Sequence, residues 1–143
     1  MDSTPRLRVE LERAKGGAAS LTAGCVALLE GRPDEVSDAL ISVLGGESAR
    51  PILDGQAGGR DGYWPRVWAA RGLLHQWDPA ATAAIIGATH DEAWRVREMA
   101  AKVIARHKVG DALDAVAALR TDPVERVSAA AARAVTLLTA AGA

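Results

Sequence analysis

The chain has no phenylalanine, one cysteine and no long apolar run, and the last two shortages each close off a class of protein. The lone Cys25 cannot form an internal disulfide, and the only three histidines, His75, His90 and His107, are too scattered for a structural zinc. No metal and no cofactor is expected. No stretch approaches the roughly 18 to 20 apolar residues of a membrane span, and Met1-Asp2-Ser3-Thr4-Pro5-Arg6 leads into a charged segment rather than a targeting sequence. The expectation is therefore a cytoplasmic protein with no membrane partner. Excess charge of one sign is missing too: 17 Lys and Arg against 18 Asp and Glu give a net charge of −1, so any nucleic-acid binding must be local. Sustained alternation of β-branched residues is also absent, which excludes a sheet protein.

What remains is a chain of 143 residues, 49% hydrophobic and 24% charged, in the range of one globular domain. Alanine is about a fifth of the chain and arginine greatly outnumbers lysine, which points to GC-rich coding DNA and a bacterial source. Proline stands at or beside a first helical turn in Thr4-Pro5, Arg32-Pro33-Asp34, Asp78-Pro79 and Asp122-Pro123. The pattern predicts helices over Pro5–Ala14, Ala18–Leu29, Asp34–Leu44, Trp64–Gln76, Pro79–Thr89, Glu92–His107, Asp111–Leu119 and Pro123–Leu138. Within one domain, 1–143, residues 1–44 read as N-terminal helices or a degenerate repeat and 45–62 as a Gly-rich mobile loop, broken at most by a short turn around Arg50–Leu53. Residues 63–143 read as repeats. Up to Gly62 the chain carries 7 basic and 10 acidic side chains, and beyond it 10 basic and 8 acidic.

The repeats show in Val67, Val96 and Val127, which open similar helical stretches at 96 − 67 = 29 and 127 − 96 = 31 residues. In the best copy Val96, Met99, Ala100, Val103 and Ile104 form one apolar stripe, and Ala101 and Ala105 a second track of small residues. Two buried faces require neighbours on two sides, as in a solenoid.

These residues resemble the HEAT repeat family. Asp91, Val96-Arg97 and Ala100-Ala101 match its pattern of Asp, Val-Arg and Ala-Ala, and Asp122, Val127-Ser128 and Ala131-Ala132 match with serine for arginine. The copy at Val67 departs further, with Trp68 in the arginine position and Arg71-Gly72 where small residues are usual. The resemblance implies an all-α fold, an α-solenoid of stacked antiparallel helix pairs, in a short bacterial HEAT-like protein. It also implies that Asp91, Arg97 and Asp122 bond along the stack in a structural ladder.

Trp64, Trp68, Arg71 and His75 share one helical face, with Tyr63 at its start. They are either a stacking plate for a partner or core between the N-terminal helices and the repeats. Arg95, Lys102 and Arg106 form a basic stripe that, with Arg66, Arg126 and Arg133, either lines a groove or is solvated surface. Trp64, Arg66, Trp68, Arg71, Trp94, Arg95, Lys102 and Arg106 are the candidate partner-binding residues. No HExxH, P-loop or nucleophile–base spacing is present, and the acids Asp34, Glu35, Asp38, Asp111 and Asp114 sit where helix dipoles favour them. The chain is expected to be a non-enzymatic scaffold whose second helices present a groove to a protein partner. The resemblance leaves open, as alternatives, a nucleic-acid-binding or DNA-repair glycosylase-like protein and a bilin-lyase-like one. A homo-oligomer through the Ala-rich end, Ala129–Ala141, is a further alternative.

Overall fold

The computed structural model describes residues 3–141, so the ends of the expected 1–143 domain lie outside the described residues. The helices are α1 (Pro5–Ala14), α2 (Ala18–Leu29), α3 (Asp38–Gly45), α4 (Ala49–Leu53), α5 (Tyr63–His75), α6 (Thr82–Ala88), α7 (Trp94–His107), α8 (Leu113–Ala118) and α9 (Glu125–Ala141). No strand occurs among the described residues. Local chemistry sets several starts: the Thr4 hydroxyl accepts from the Leu7 amide at 3.1 Å and the Ser37 hydroxyl from the Leu40 amide at 3.1 Å.

That second cap corrects the expected helix Asp34–Leu44. Pro33–Glu35 form a 3-10 turn, Val36 is extended, and α3 starts afresh after Ser37. Gly45–Gly62 differs from the expected loop in holding α4 between the 3-10 turns Gly46–Ser48 and Gln56–Asp61. Arg60 ties this segment to the Asp38 carboxylate and the Val36 carbonyl.

The helices pack in two layers. In one, α5, α7 and α9 lie side by side, with α1 and α3 against the outer flank of α5; in the other, α2, α6 and α8 each pack on a first-layer neighbour. Helix α2 thus fills the place of first helix to α5, although α3 and α4 intervene in the chain. A continuous core runs from Val9 in α1 to Leu138 in α9, with Ala69, Ala70, Ala100 and Val103 fully buried in α5 and α7. Alanine at these positions lets the helix axes come close.

Large and small residues interlock on α5. A Cβ on Gly45 would stand 2.6 Å from the Trp68 ring, and one on Gly72 would stand 2.8 Å from Leu44, so glycine is the only residue that fits either site without movement.

Candidate docking groove

Repeat geometry fixes the register of the second helices. Arg66 Nε donates to Asp91 at 2.8 Å and Nη2 to its other oxygen at 3.2 Å; Arg97 makes the same pair with Asp122 at 2.7 and 3.2 Å. Each carboxylate also accepts a backbone amide two residues on, Ala93 or Val124, both at 2.9 Å, which shapes the turn into the next second helix. Arg97 Nη1 closes its own turn on the Asp91 carbonyl at 2.9 Å. A planar guanidinium presenting parallel donors is what such a bidentate clasp requires.

The clasp revises the alignment of the first copy. Arg66 and Arg97 are equivalent, 97 − 66 = 31 residues apart, so the repeat is 31 throughout and Pro65, Val96 and Val127 occupy one buried position. Trp68 therefore does not stand in the arginine position. Proline in the first turn of α5 disguised the match, and it is tolerated there because the amide it lacks has no intrahelical acceptor. Arg66, a candidate partner-binding residue, is held in this clasp with 17% of its side chain exposed.

Other candidates divide between interior and surface. Trp68 is only 4% exposed and packs on α3, so it is core rather than a binding plate. Arg71 is half-buried and donates from Nη2 to the Leu44 carbonyl at 2.8 Å, capping the end of α3. Burial, with Arg8 nearby, holds its pKa below the ordinary guanidinium value. Trp64 and Trp94 are half-buried and already faced by cations: the Arg95 guanidinium lies 5.4 Å from the Trp64 ring and 4.5 Å from the Trp94 ring, and Arg126 lies 5.2 Å from Trp94. A cation–π chain thus runs from α5 through α7 to α9.

Lys102 and Arg106 line a groove of about 780 Å³ together with Lys108, Arg126 and Arg133. Its floor is Leu74, Ala105, Ala129, Ala130 and Leu137, and it lies mainly between α7 and α9. These two helices run parallel, because Arg97 and Glu98 near the start of α7 bond to Asp122 and Arg126 at the start of α9. Arg95 instead borders a smaller hollow at the helix starts, with Tyr63, Arg66 and Trp94.

Glu98, Lys108 and Leu137 were not foreseen as groove residues. The Glu98 carboxylate, 11% exposed, accepts from Arg126 Nε at 2.9 Å and lies 3.7 Å from Lys102 Nζ. The sequence offered one signal for it: with a repeat of 31, Glu98 interrupts positions held by Val67 and Ala129. Lys108 has φ 51°, ψ 53° at the end of α7, a left-handed conformation that glycine usually supplies.

Titration properties follow from surroundings. Burial pushes the Cys25 thiol up to about 12, which keeps it a protonated core group. Burial, followed by Arg6, Arg71 and Arg106, holds His75 below the ordinary histidine value, with Glu10 opposing weakly. The Arg97 hydrogen bonds hold the Asp122 carboxyl low.

Stacked helix pairs with a repeated interhelical clasp define an α-solenoid. The family model for HEAT repeats matches residues 61–136, and the chain belongs to the HEAT repeat family. HEAT repeats commonly mediate protein–protein interaction, and the family is generally of a non-enzymatic scaffold type. No curated protein and no solved structure matches the chain significantly. No helix among the described residues is long and apolar enough to cross a membrane.

Proposed function

We propose that residues 1–143 form a single non-enzymatic interaction domain whose second helices present a protein-binding groove. The observation that carries this reading is the open groove between α7 and α9, whose walls are cross-linked by Arg97–Asp122 and Arg126–Glu98. Walls already fixed in place lose little conformational freedom when a partner docks. Lys102 and Arg106 remain proposed partner-binding residues; Trp94 acts by holding Arg126 over its ring, and Arg95 by bracing Trp94 and Trp64. Arg97 and Asp122 serve as the rung that sets the spacing of the walls, and Asp91 repeats that rung between α5 and α7.

The test is affinity capture from a bacterial lysate with the wild-type chain and an Arg106→Glu/Arg133→Glu variant whose circular dichroism and melting match wild type. A protein partner retained by wild type and lost by the variant supports the reading. Equal recovery of the same proteins by both, or recovery that nuclease abolishes, overturns it.

A further inference from the structure

We propose that the groove between α7 and α9 takes an acidic peptide segment carrying apolar side chains, supplied by a partner protein; this rests on the interaction reading above. Charge is the first argument. Five cations against one carboxylate, 5 − 1 = +4, surround a groove in a chain whose net charge is −1. The imbalance is concentrated rather than spread: elsewhere arginines meet carboxylates, carbonyls, a glutamine or aromatic faces, as with Arg32, Arg60, Arg13 and Arg95. Lys15 aside, the cations without any such partner among the described residues are Arg106, Lys108 and Arg133, and all three line this groove.

Glu98 arranges two more of these charges. Its carboxylate sits between Lys102 and Arg126 and draws Arg126 across from α9 to α7, so one acid orients two cations at one end of the groove. Lys108 stands at the other end. A lysine held in the left-handed conformation there keeps a charge at a position where glycine would be more stable.

The floor decides the kind of anion. Ala105, Ala129, Ala130, Leu74 and a Leu137 that is 36% exposed offer apolar surface that a bare phosphate chain would leave uncovered. Stacking on bases is poorly served as well, because the nearby Trp64 and Trp94 rings already carry guanidinium groups and lie outside the lining. A segment with carboxylates on one side and leucine-like groups on the other satisfies both surfaces. From Arg126 to Leu137 the wall is about 16 Å long at 1.5 Å per residue, so about three turns of a helical ligand span it.

The probe is a fluorescein-labelled helical peptide of about fifteen residues, with glutamates on one face and leucines on the other. Anisotropy titrations compare it with the same peptide bearing glutamine for each glutamate, and with an oligothymidylate of similar length. Wild type is expected to bind the glutamate peptide at least about tenfold more tightly than the glutamine peptide, and Arg106→Glu/Arg133→Glu to lose about tenfold or more. Lys108→Gly is expected to melt above wild type while binding several-fold more weakly, an outcome that misfolding cannot produce. Equal binding of the two peptides, unchanged binding in both variants, or preference for the oligothymidylate overturns the proposal. So does a dimer in sedimentation that excludes the peptide and that Arg106→Glu/Arg133→Glu abolishes. If the lysate partner is captured through the same arginines while the glutamate peptide does not bind, the acidic-segment proposal fails and the interaction module stands. Failure of both experiments removes both.

Discussion

The junction of α3 with α5 and the junction of α7 with α9 bring helices together by opposite means. At the first, shape dominates: Trp68 packs against Gly45, Leu44 reaches Gly72, and among the described residues the polar tie between the two helices is Arg71 to the Leu44 carbonyl. At the second, alanines set the approach and charged groups set the register, through Arg97–Asp122 and Arg126–Glu98. A steric fit of this kind is particular to its residues, whereas a guanidinium–carboxylate clasp can be repeated every 31 residues with the same geometry, as at Arg66–Asp91. The irregular junction accordingly closes the N-terminal end, and the regular one carries the groove.

The largest expected effect breaks the steric junction. Trp68→Ala empties a buried aromatic site and is expected to destabilise by about 3–5 kcal/mol in denaturant unfolding, and Gly45→Ala, which overfills the same place, by about 1–3 kcal/mol. If both are near neutral, the junction of α3 with α5 does not hold the N-terminal helices.

Next comes the charged junction. Asp122→Ala removes the acceptor of the two Arg97 bonds that cross the junction and of the Val124 amide and is expected to cost about 1.5–3 kcal/mol, with strong coupling to Arg97→Ala in a double-mutant cycle. Additive effects would mean that register comes from the alanine packing alone.

The smallest effect concerns pH and sharpens the same contrast at the C-terminal end of α5. His75 is held below its ordinary value of 6.5 in the folded chain, so the unfolded chain takes up its proton first. Stability from this group is complete above 6.5 and is lost as pH falls from there through the lowered folded value. His75→Gln is expected to flatten the melting temperature across that window, checked by thermal scans in low-salt buffers; an unchanged slope would place the titration elsewhere.

Much of the helix inventory was legible because capping and apolar period act locally: α1 and α2 fall on the expected Pro5–Ala14 and Ala18–Leu29. Asp34–Leu44 misled because Ser37, placed inside the expected helix, is instead the cap that starts α3 at Asp38. The candidate site was less legible. Lys102 and Arg106 could be placed together on one side of a helix, but partnership is a three-dimensional property, so nothing local distinguished Arg66, clasped to Asp91, from Arg133, which has no acidic partner among the described residues.

By itself the sequence determined the all-helical class, the family pattern at Asp91, Arg97 and Asp122, and the small residues that let helices approach, since each depends on neighbours within a turn or two. Tertiary structure decided that α2 pairs with α5 across an intervening pair of helices, that Trp68 is interior, and that Glu98 joins α7 to α9. Those outcomes depend on side chains tens of residues apart meeting at van der Waals or hydrogen-bond distance, and only the packed chain brings them within it.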